Sequence, residues 1–319
     1  MMKTPRLSER KIPPRGESPR KTGERKSPER KRLEAVEKFR DARQDRFLSA
    51  LSPNLNVMIK AVQKAGRNLM RDFGEIENLQ ISRKGAADFV SNADTYAEKT
   101  IREYLKEARP RYGFLQEESG EVKGEDTSHR WIVDPLDGTM NFLHGIGHFA
   151  ISLALQEDKE IVAGVIYNPA TGELFYAEKG KGAWAMAGGT GRRLRVSNRG
   201  DLTEAVVVTG IPHKGHSNPE RFIKQLTPMM ENTGGVRRMG SAALDLAYVA
   251  AGKFEAYWEE DIKPWDIAAG LLLVKEAGGH VSTFSGKEKT DEILADGSIL
   301  AVNDSLCSLF QRMFKNSVK

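Results

Sequence analysis

Two carboxylates at the end of an apolar run are the first residues of this sequence whose types and spacing suggest chemistry. The run Trp131-Ile132-Val133 leads into Asp134-Pro135-Leu136-Asp137-Gly138-Thr139. The apolar residues predict a short buried strand, which Pro135 should stop because proline has no amide hydrogen for a sheet ladder. Asp134 and Asp137 then lie close together, with the Thr139 hydroxyl beside them. This arrangement suits a hard cation and a phosphate, and taken alone it is equally well explained as a strand-to-loop turn.

Two further acidic segments occur elsewhere in the chain. Glu117, Glu118 and Ser119 follow the apolar stretch from Phe114, and Asp266 lies in Pro264-Trp265-Asp266-Ile267-Ala268-Ala269-Gly270, which predicts the first turn of a helix. If the fold brings Glu117, Asp134, Asp137 and Asp266 into one cleft, the four carboxylates repel one another unless cations neutralise them. Oxygen ligands without histidine or cysteine favour Mg²⁺, with Mn²⁺ as a substitute, over zinc.

These three segments, in this order, resemble the signatures of the inositol monophosphatase family. The signatures are an acid pair with serine after a strand, a D-P-[LI]-D-G-T turn, and W-D-x-A-[AG]-G. The resemblance runs from about Leu55 to the C-terminus and is closest to the bacterial, SuhB-type (extragenic suppressor) branch. It implies a layered αβαβα sandwich, a lithium-sensitive homodimer, and hydrolysis of inositol-1-phosphate to inositol and phosphate by two- or three-metal activation of water.

The resemblance also implies a role for each site residue. One Mg²⁺ would be held by Glu117, Asp134 and the Leu136 carbonyl, and a second by Asp134, Asp137 and Asp266. Thr139 and Asp94 are the implied pair that orients and deprotonates the attacking water, with Glu117 assisting. The implied substrate-binding residues are Leu136, Asp137, Gly138, Thr139, Gly240, Ser241, Ala242, Glu259 and Asp266. For Ser241 and Glu259, a helix N-cap and a strand-end surface charge are good alternative interpretations. The family usually has threonine where this chain has Met140, so we expect one altered pocket wall.

The elements that must position these residues fall into two groups. Between Phe149 and Val196 the pattern predicts several strands, joined in one place by a hairpin at 168–172, which is typical of an antiparallel sheet. From Ala205 onward strands and helices alternate, so the chain should be a mixed α/β protein with two sheets. Before both groups we predict a helix from 52 to 74, a loop over 84–94, and a second helix over 93–108.

The N-terminal segment differs in composition from the remainder. Residues 1–46 hold 16 Lys and Arg against 8 Asp and Glu, a net charge of +8 in a chain of net charge +5, so the remainder carries −3. With many prolines and few large apolar residues, such a segment cannot offset its ordering entropy. We therefore predict a disordered basic extension over 1–48. The phosphatase-like domain would cover 49–319, with a metal-site half to residue 200 and a second α/β half over 201–319.

Composition limits the remaining classes of function. One cysteine, Cys307, excludes an intramolecular disulfide framework and fits a cytoplasmic location, and no run of 18 apolar residues predicts a membrane span. The expected substrate is a small phosphorylated polyol. Fructose-1,6-bisphosphate and 3′-phosphoadenosine phosphate are alternative substrates. A regulatory role in ribosomal-RNA transcription complexes, with an RNA polymerase or transcription-factor partner, is the alternative from another class, although the basic extension has almost no aromatic residues for base stacking.

Overall fold

The computed structural model describes residues 51–79, 83–187, 190–212 and 218–317. The basic extension predicted over 1–48 lies outside the described residues. The described ranges contain these α-helices: α1 Pro53–Leu79, α2 Arg83–Ala108, α3 Thr139–Leu143, α4 Pro219–Asn232, α5 Ala242–Ala250, α6 Pro264–Glu276, α7 Thr290–Asp296 and α8 Cys307–Ser317. No helix in these ranges combines the length and the apolar character that crossing a membrane requires.

The strands form one large and one small sheet. Their bounds are β1 Tyr112–Gln116, β2 Gly120–Val122, β3 Asp126–Asp137, β4 Ala150–Glu157, β5 Glu160–Asn168, β6 Glu173–Glu178, β7 Gly182–Ala187, β8 Thr190–Arg193, β9 Val206–Thr209, β10 Gly235–Arg237, β11 Ala256–Glu260, β12 His280–Ser282 and β13 Ser298–Val302. The eight-stranded sheet has the order β2-β1-β3-β4-β5-β6-β7-β8, and the five-stranded sheet has the order β10-β9-β11-β13-β12. The larger sheet is antiparallel except for the β1–β3 pair, whereas β9 is parallel to both of its neighbours.

Three apolar cores lie between the five layers, and one of them extends to both sides of the layer formed by α5 and α6. One face of the large sheet packs on α1 and α2, and its other face packs on α5 and α6. The small sheet covers the opposite side of α5 and α6, while α4 and α8 close its outer face. Neighbouring residues of one strand enter different cores, as Tyr257 and Trp258 do in β11, because strand side chains alternate between faces. The layered αβαβα sandwich expected from the sequence is confirmed.

Helix α6 lies at the centre of this arrangement. Every residue from Ile267 to Val274 is buried, which is typical of a helix enclosed on all sides. Close approach to its neighbours requires small residues: a Cβ added at Gly270 would lie 2.5 Å from Leu246 of α5, and one at Gly164 of β5 would lie 3.0 Å from the Ala269 backbone. This tight packing fixes the start of α6, and therefore Asp266, against the large sheet.

The structure corrects three boundaries predicted from the sequence. Helix α1 continues past Gly74 to Leu79, and α2 already begins at Arg83, so the predicted loop over 84–94 is helical. Pro135 does not stop its strand, since β3 reaches Asp137 after a change of register between Asp134 and Asp137. The proline is tolerated because this irregularity removes the need for its missing amide donor.

Candidate functional site

The ends of β1, β3 and β11 and the starts of α5 and α6 surround one polar cavity of about 250 Å³. All of the site residues predicted from the sequence except Asp94 line this cavity, namely Glu117, Asp134, Leu136, Asp137, Gly138, Thr139, Gly240, Ser241, Ala242, Glu259 and Asp266. Met140 also lines it and is 52% exposed, so the residue that departs from the family pattern contributes to a wall. Residues separated by about 150 positions in the sequence thus meet in one place.

The irregular end of β3 turns two carboxyl groups toward the cavity. Asp134 is 1% exposed, and its Oδ1 accepts a hydrogen bond of 2.9 Å from the Leu136 amide. Gly138 follows with φ of +94°, a left-handed conformation that glycine adopts without strain. A Cβ at this position would lie 3.1 Å from the carbonyl oxygens of Gly240 and His148. Glycine therefore allows the turn to lie directly against the segment that leads into α5.

Asp137 is held by the N-terminus of α5. The Ser241 hydroxyl donates a hydrogen bond to Asp137 Oδ2, and the amides of Ala243 and Ala242 donate to its two oxygens at 2.8 and 3.2 Å. A negative charge is favourable at this end of a helix. Ser241 is also the N-cap residue, because its hydroxyl oxygen accepts from the Leu244 amide at 3.4 Å. The N-cap interpretation of Ser241 is confirmed, and the residue also lines the cavity, while its contact with a substrate stays a prediction.

Glu259 and Asp266 are likewise oriented by donors. The Tyr257 hydroxyl donates to Glu259 Oε2 at 2.7 Å, and the Lys263 amide donates to Asp266 Oδ2 at 2.8 Å. Gly210 provides the space for Glu259, since a Cβ there would lie 2.0 Å from its carboxylate. Burial raises the pKa of Glu259 to about 7, while the bond from Tyr257 opposes this increase.

Asp94 approaches the same acids from α2. It is 4% exposed, and carboxylate oxygens of Asp94, Glu117 and Glu118 all lie within 4.8 Å of one another. Within the described ranges, Asp94 Oδ1 has no hydrogen-bond partner. Burial and, after it, repulsion by Glu117, Glu118 and Glu98 raise the pKa of Asp94 to about 9. Without a cation Asp94 therefore keeps its proton at neutral pH, because the protein itself does not supply the positive charge that would let these acids ionise together.

The carboxyl groups that line the cavity are hindered from ionising in the same way. Glu117 is exposed overall, but its carboxyl group is largely surrounded by protein, and this desolvation raises its pKa to about 7. Burial and repulsion by neighbouring acids hold the pKa values of Asp134 and Asp266 well above their usual range. Burial raises the pKa of Asp137 to about 6, with the bonds from α5 opposing it. Such an all-oxygen donor set fits hard cations, whose charge would allow these acids to ionise together.

The expected contact between Thr139 and Asp94 is not a hydrogen bond in the structure. The Thr139 hydroxyl instead donates to the Leu136 carbonyl oxygen at 3.0 Å. That carbonyl is one of the oxygens implied as a metal ligand by the sequence. The described part of the chain contains no hydrogen bond between Thr139 and Asp94, so their cooperation in activating water stays a prediction.

The cavity lining also includes three charged residues that the sequence did not reveal, namely Arg238, Asp245 and Asp261. Arg238 lies beside Gly240 and contributes a positive charge to the lining. Asp245 lies on α5, one turn after Ser241, and is 2% exposed with no partner for its Oδ1 among the described residues. Its place four residues after Ser241 puts it on the same helix face, a signal that was available in the sequence.

Comparison with known proteins was consistent with the site. A sequence profile of the inositol monophosphatase family matches residues 50–316. The chain is 53% identical to a protein of Rhizobium meliloti named inositol-1-monophosphatase, over 84% of this chain and 98% of that protein. It is 40% identical to a Pseudomonas aeruginosa protein named Nus factor SuhB, over 79% of this chain and 92% of that protein. The crystal structure of extragenic suppressor protein SuhB from Bartonella henselae is similar, with a TM-score of 0.74, 50% identity, and coverage of 83% of this chain and 99% of that one.

Proposed function

This chain belongs to the inositol monophosphatase family and is a phosphatase, and we propose that it hydrolyses myo-inositol-1-phosphate to inositol and phosphate with Mg²⁺. The observation that supports the proposal most strongly is the convergence of Glu117, Asp134, Asp137 and Asp266 on one cavity. Their raised pKa values mean that these acids resist ionising together unless an external cation is bound.

In this proposal the acids hold two cations. Glu117, Asp134 and the Leu136 carbonyl would bind one, and Asp134, Asp137 and Asp266 would bind the other. Mn²⁺ is expected to substitute for Mg²⁺, because both ions accept oxygen ligands. When bound, the cations supply Lewis-acid chemistry, neutralising phosphate oxygens and lowering the pKa of water.

The remaining residues orient the reactants. Thr139 and Asp94 act as a proton relay, in which Asp94 Oδ1 is the acceptor that has no donor in the described part of the protein. The Thr139 hydroxyl must leave the Leu136 carbonyl oxygen for this relay to form. Glu259 accepts a hydrogen bond from a hydroxyl of the polyol, and Tyr257 holds its carboxylate in place. Gly138, Gly240, Ser241 and Ala242 complete the wall around phosphate and ring.

A compact cavity with a hydrogen-bonding acid on its far side favours a small polyol over the alternative substrates. Fructose-1,6-bisphosphate carries a second phosphate, and 3′-phosphoadenosine phosphate carries a second phosphate and a base, whereas the lining of this cavity adds two further acids, Glu259 and Asp245, against one cation, Arg238. Repulsion by these acids should weaken binding of a second anionic group.

A transcription-related role is the second candidate. The observation in its favour is the similarity to proteins named Nus factor SuhB at 39–43% identity, which is lower than the 53% identity to proteins named inositol-1-monophosphatase. With this role we propose that the chain forms a homodimer and that its partner is RNA polymerase or a transcription factor. They do not conflict with catalysis, because the acid cluster is intact.

A phosphate-release panel on the purified chain tests the proposal. We expect release from myo-inositol-1-phosphate in Mg²⁺ to be faster than from either alternative substrate, to persist more weakly in Mn²⁺, to be inhibited by Li⁺ and to stop in EDTA. Absence of phosphate release from all three substrates in Mg²⁺, or full activity in EDTA, would exclude this function.

A further inference from the structure

We propose that Glu98 is a positioning residue for the cation site, acting through Ser119 and the backbone of the turn that carries Glu117. The proposal deepens the proposed function and rests on it, because it concerns the cations that the acids hold. Glu98 lies on α2, four residues after Asp94, so both side chains project from one face of that helix. It is 1% exposed although it carries a carboxyl group.

Both carboxylate oxygens of Glu98 bind the turn between β1 and β2. Oε2 accepts a hydrogen bond of 2.9 Å from the Glu118 amide, and Oε1 accepts a short bond from the Ser119 hydroxyl. On its other side the turn is fixed to β3, since the Glu117 amide donates to the Val133 carbonyl oxygen at 3.2 Å. Glu117 therefore lies between two anchors, one on the sheet and one on α2.

Like charges make the second anchor necessary. The oxygens of Asp94, Glu117 and Glu118 lie within 4.8 Å of one another, and their repulsion favours movement of the turn away from α2. The turn is short and Glu117, Glu118 and Ser119 are all exposed, so packing alone holds it weakly. The two hydrogen bonds that the Glu98 carboxylate accepts oppose the repulsion and keep Glu117 close to Asp94.

The two donors that bind residue 98 explain why this residue is a glutamate. A carboxylate accepts from an amide and a hydroxyl at the same time, and bonds to a charged acceptor are stronger than neutral ones. A glutamine at position 98 has only one acceptor oxygen, so one of the two hydrogen bonds would be lost. Its NH₂ group would then lie against the Glu118 amide or the Ser119 hydroxyl, both of which are donors in this structure. The geometry thus also explains why serine follows the acid pair in this sequence: Ser119 fixes the turn and does not bind the cation.

An electrostatic explanation makes a different prediction. The negative charge of Glu98 alone would attract cations, and Glu98→Gln would then weaken Mg²⁺ binding without any change in position. Ser119→Ala separates the two explanations, because it removes a hydrogen bond and leaves every charge in place. Ser128 offers a matched control, since its hydroxyl donates to Asp126 Oδ1 at 2.7 Å at the opposite end of β3.

The experiment measures Mg²⁺ binding by calorimetry, together with kcat and KM, for the full chain and four variants. We expect Ser119→Ala to raise the Mg²⁺ dissociation constant about three- to tenfold and Glu98→Gln to raise it about 10- to 100-fold. Ser119→Thr, which keeps the hydroxyl, and Ser128→Ala should remain within about twofold of the unchanged protein. KM for the substrate should change less than kcat at subsaturating Mg²⁺.

Two results would overturn the proposal. One is a Mg²⁺ dissociation constant for Ser119→Ala that equals the constant for Ser128→Ala. The other is a Mg²⁺ dissociation constant for Ser119→Thr that is raised as much as the constant for Ser119→Ala. The Ser119 variants decide the question even if Glu98→Gln does not fold. Failure of the proposed function gives a different result from failure of this inference. In that case the unchanged protein would bind Mg²⁺ but release no phosphate. An unchanged protein that binds no Mg²⁺ would overturn both.

Discussion

Two acid-bearing regions at the site, which we call walls, hold their carboxyl groups in opposite ways. The α2 wall, consisting of Asp94, Glu98, Glu117 and Glu118, brings acids together with few donors, and Asp94 Oδ1 has none among the described residues. The α5 wall, consisting of Asp137, Ser241 and Glu259, gives its acids donors from a helix N-terminus and a tyrosine.

The pKa values express this difference. Burial and three acidic neighbours raise the pKa of Asp94 to about 9, whereas the donors of α5 limit that of Asp137 to about 6. The comparison teaches that the two walls have different tasks. The donors of the α5 wall orient its acids and limit the rise in the pKa of Asp137, and the α2 wall needs cations before its acids can ionise together.

The largest expected effect comes from the residue between the walls. Asp134→Asn removes charge from the carboxyl group that is repelled by Glu117, Asp137, Asp266 and Asp94. We expect Mg²⁺ affinity and kcat to fall more than about 100-fold, since loss of a ligand should exceed loss of an outer partner. In EDTA the same change should raise the unfolding temperature because it removes buried repulsion, and a lower unfolding temperature would contradict the assignment.

The proposed relay should produce the next largest effect. Thr139→Ala or Asp94→Asn should each lower kcat about 10²- to 10⁴-fold, and the double variant should be no worse than either single one. Mg²⁺ binding measured by calorimetry should survive in Thr139→Ala, because only a hydroxyl is lost. Full activity of this variant, or complete recovery in excess Mg²⁺, would exclude the relay.

A smaller and pH-dependent effect is expected on the α5 wall. Ser241→Ala removes the donor that most lowers the pKa of Asp137, so this pKa should rise above about 6. Protons then compete with Mg²⁺ at higher pH, and we expect affinity to fall about tenfold at pH 6 and less at pH 8. Ser241→Thr should restore binding at both values. A loss that is equal at pH 6 and pH 8 would mean that the hydroxyl acts by some route other than the pKa.

The smallest effect should come from Glu118, an exposed member of the α2 wall that does not line the cavity. Glu118→Gln removes a charge that solvent already screens, so kcat/KM should change by no more than about twofold. Its backbone amide, which bonds to Glu98, is unchanged. A loss as large as that of Asp94→Asn would show that burial does not distinguish the members of this wall.

The sequence was a better guide to the type of site than to the bounds of the elements and the hydrogen bonds between distant residues. The family resemblance carried by the three motifs around Glu117, Asp134 and Asp266 implied a phosphatase and its layered fold, which the pattern of strands and helices alone did not. The strand break at Pro135 was wrong, because a change of register allowed β3 to continue. The late start of the second helix was also wrong, since glycine and polar residues between 84 and 94 are typical of a loop, yet α2 begins at Arg83.

Contacts between distant residues were beyond reach of the sequence. Glu98 and Ser119 are 21 positions apart, and Asp137 and Ser241 are 104 apart. Neither periodicity nor local propensity reports such pairs, because both describe only neighbours within one element. The sequence therefore predicted most of the acids that line the cavity, while the structure added Asp245 and Asp261 and showed which acids have donors.

Thermal unfolding against pH, with and without Mg²⁺, tests the contrast between the walls most directly. A carboxyl such as Asp94, with an ordinary pKa of 3.8 and a folded pKa of about 9, keeps a proton in the folded state that the unfolded chain has lost. Stability in EDTA should therefore fall as pH rises from about 4 to 9, by up to about 1.4 kcal/mol per pH unit for each such proton.

Mg²⁺ should reverse this loss increasingly toward high pH, and Asp94→Asn should flatten the EDTA curve more than Ser241→Ala does. The account predicts the largest Mg²⁺-induced rise in unfolding temperature near pH 9. An unfolding temperature in EDTA that does not fall between pH 5 and pH 9, with no response to Mg²⁺, would contradict it.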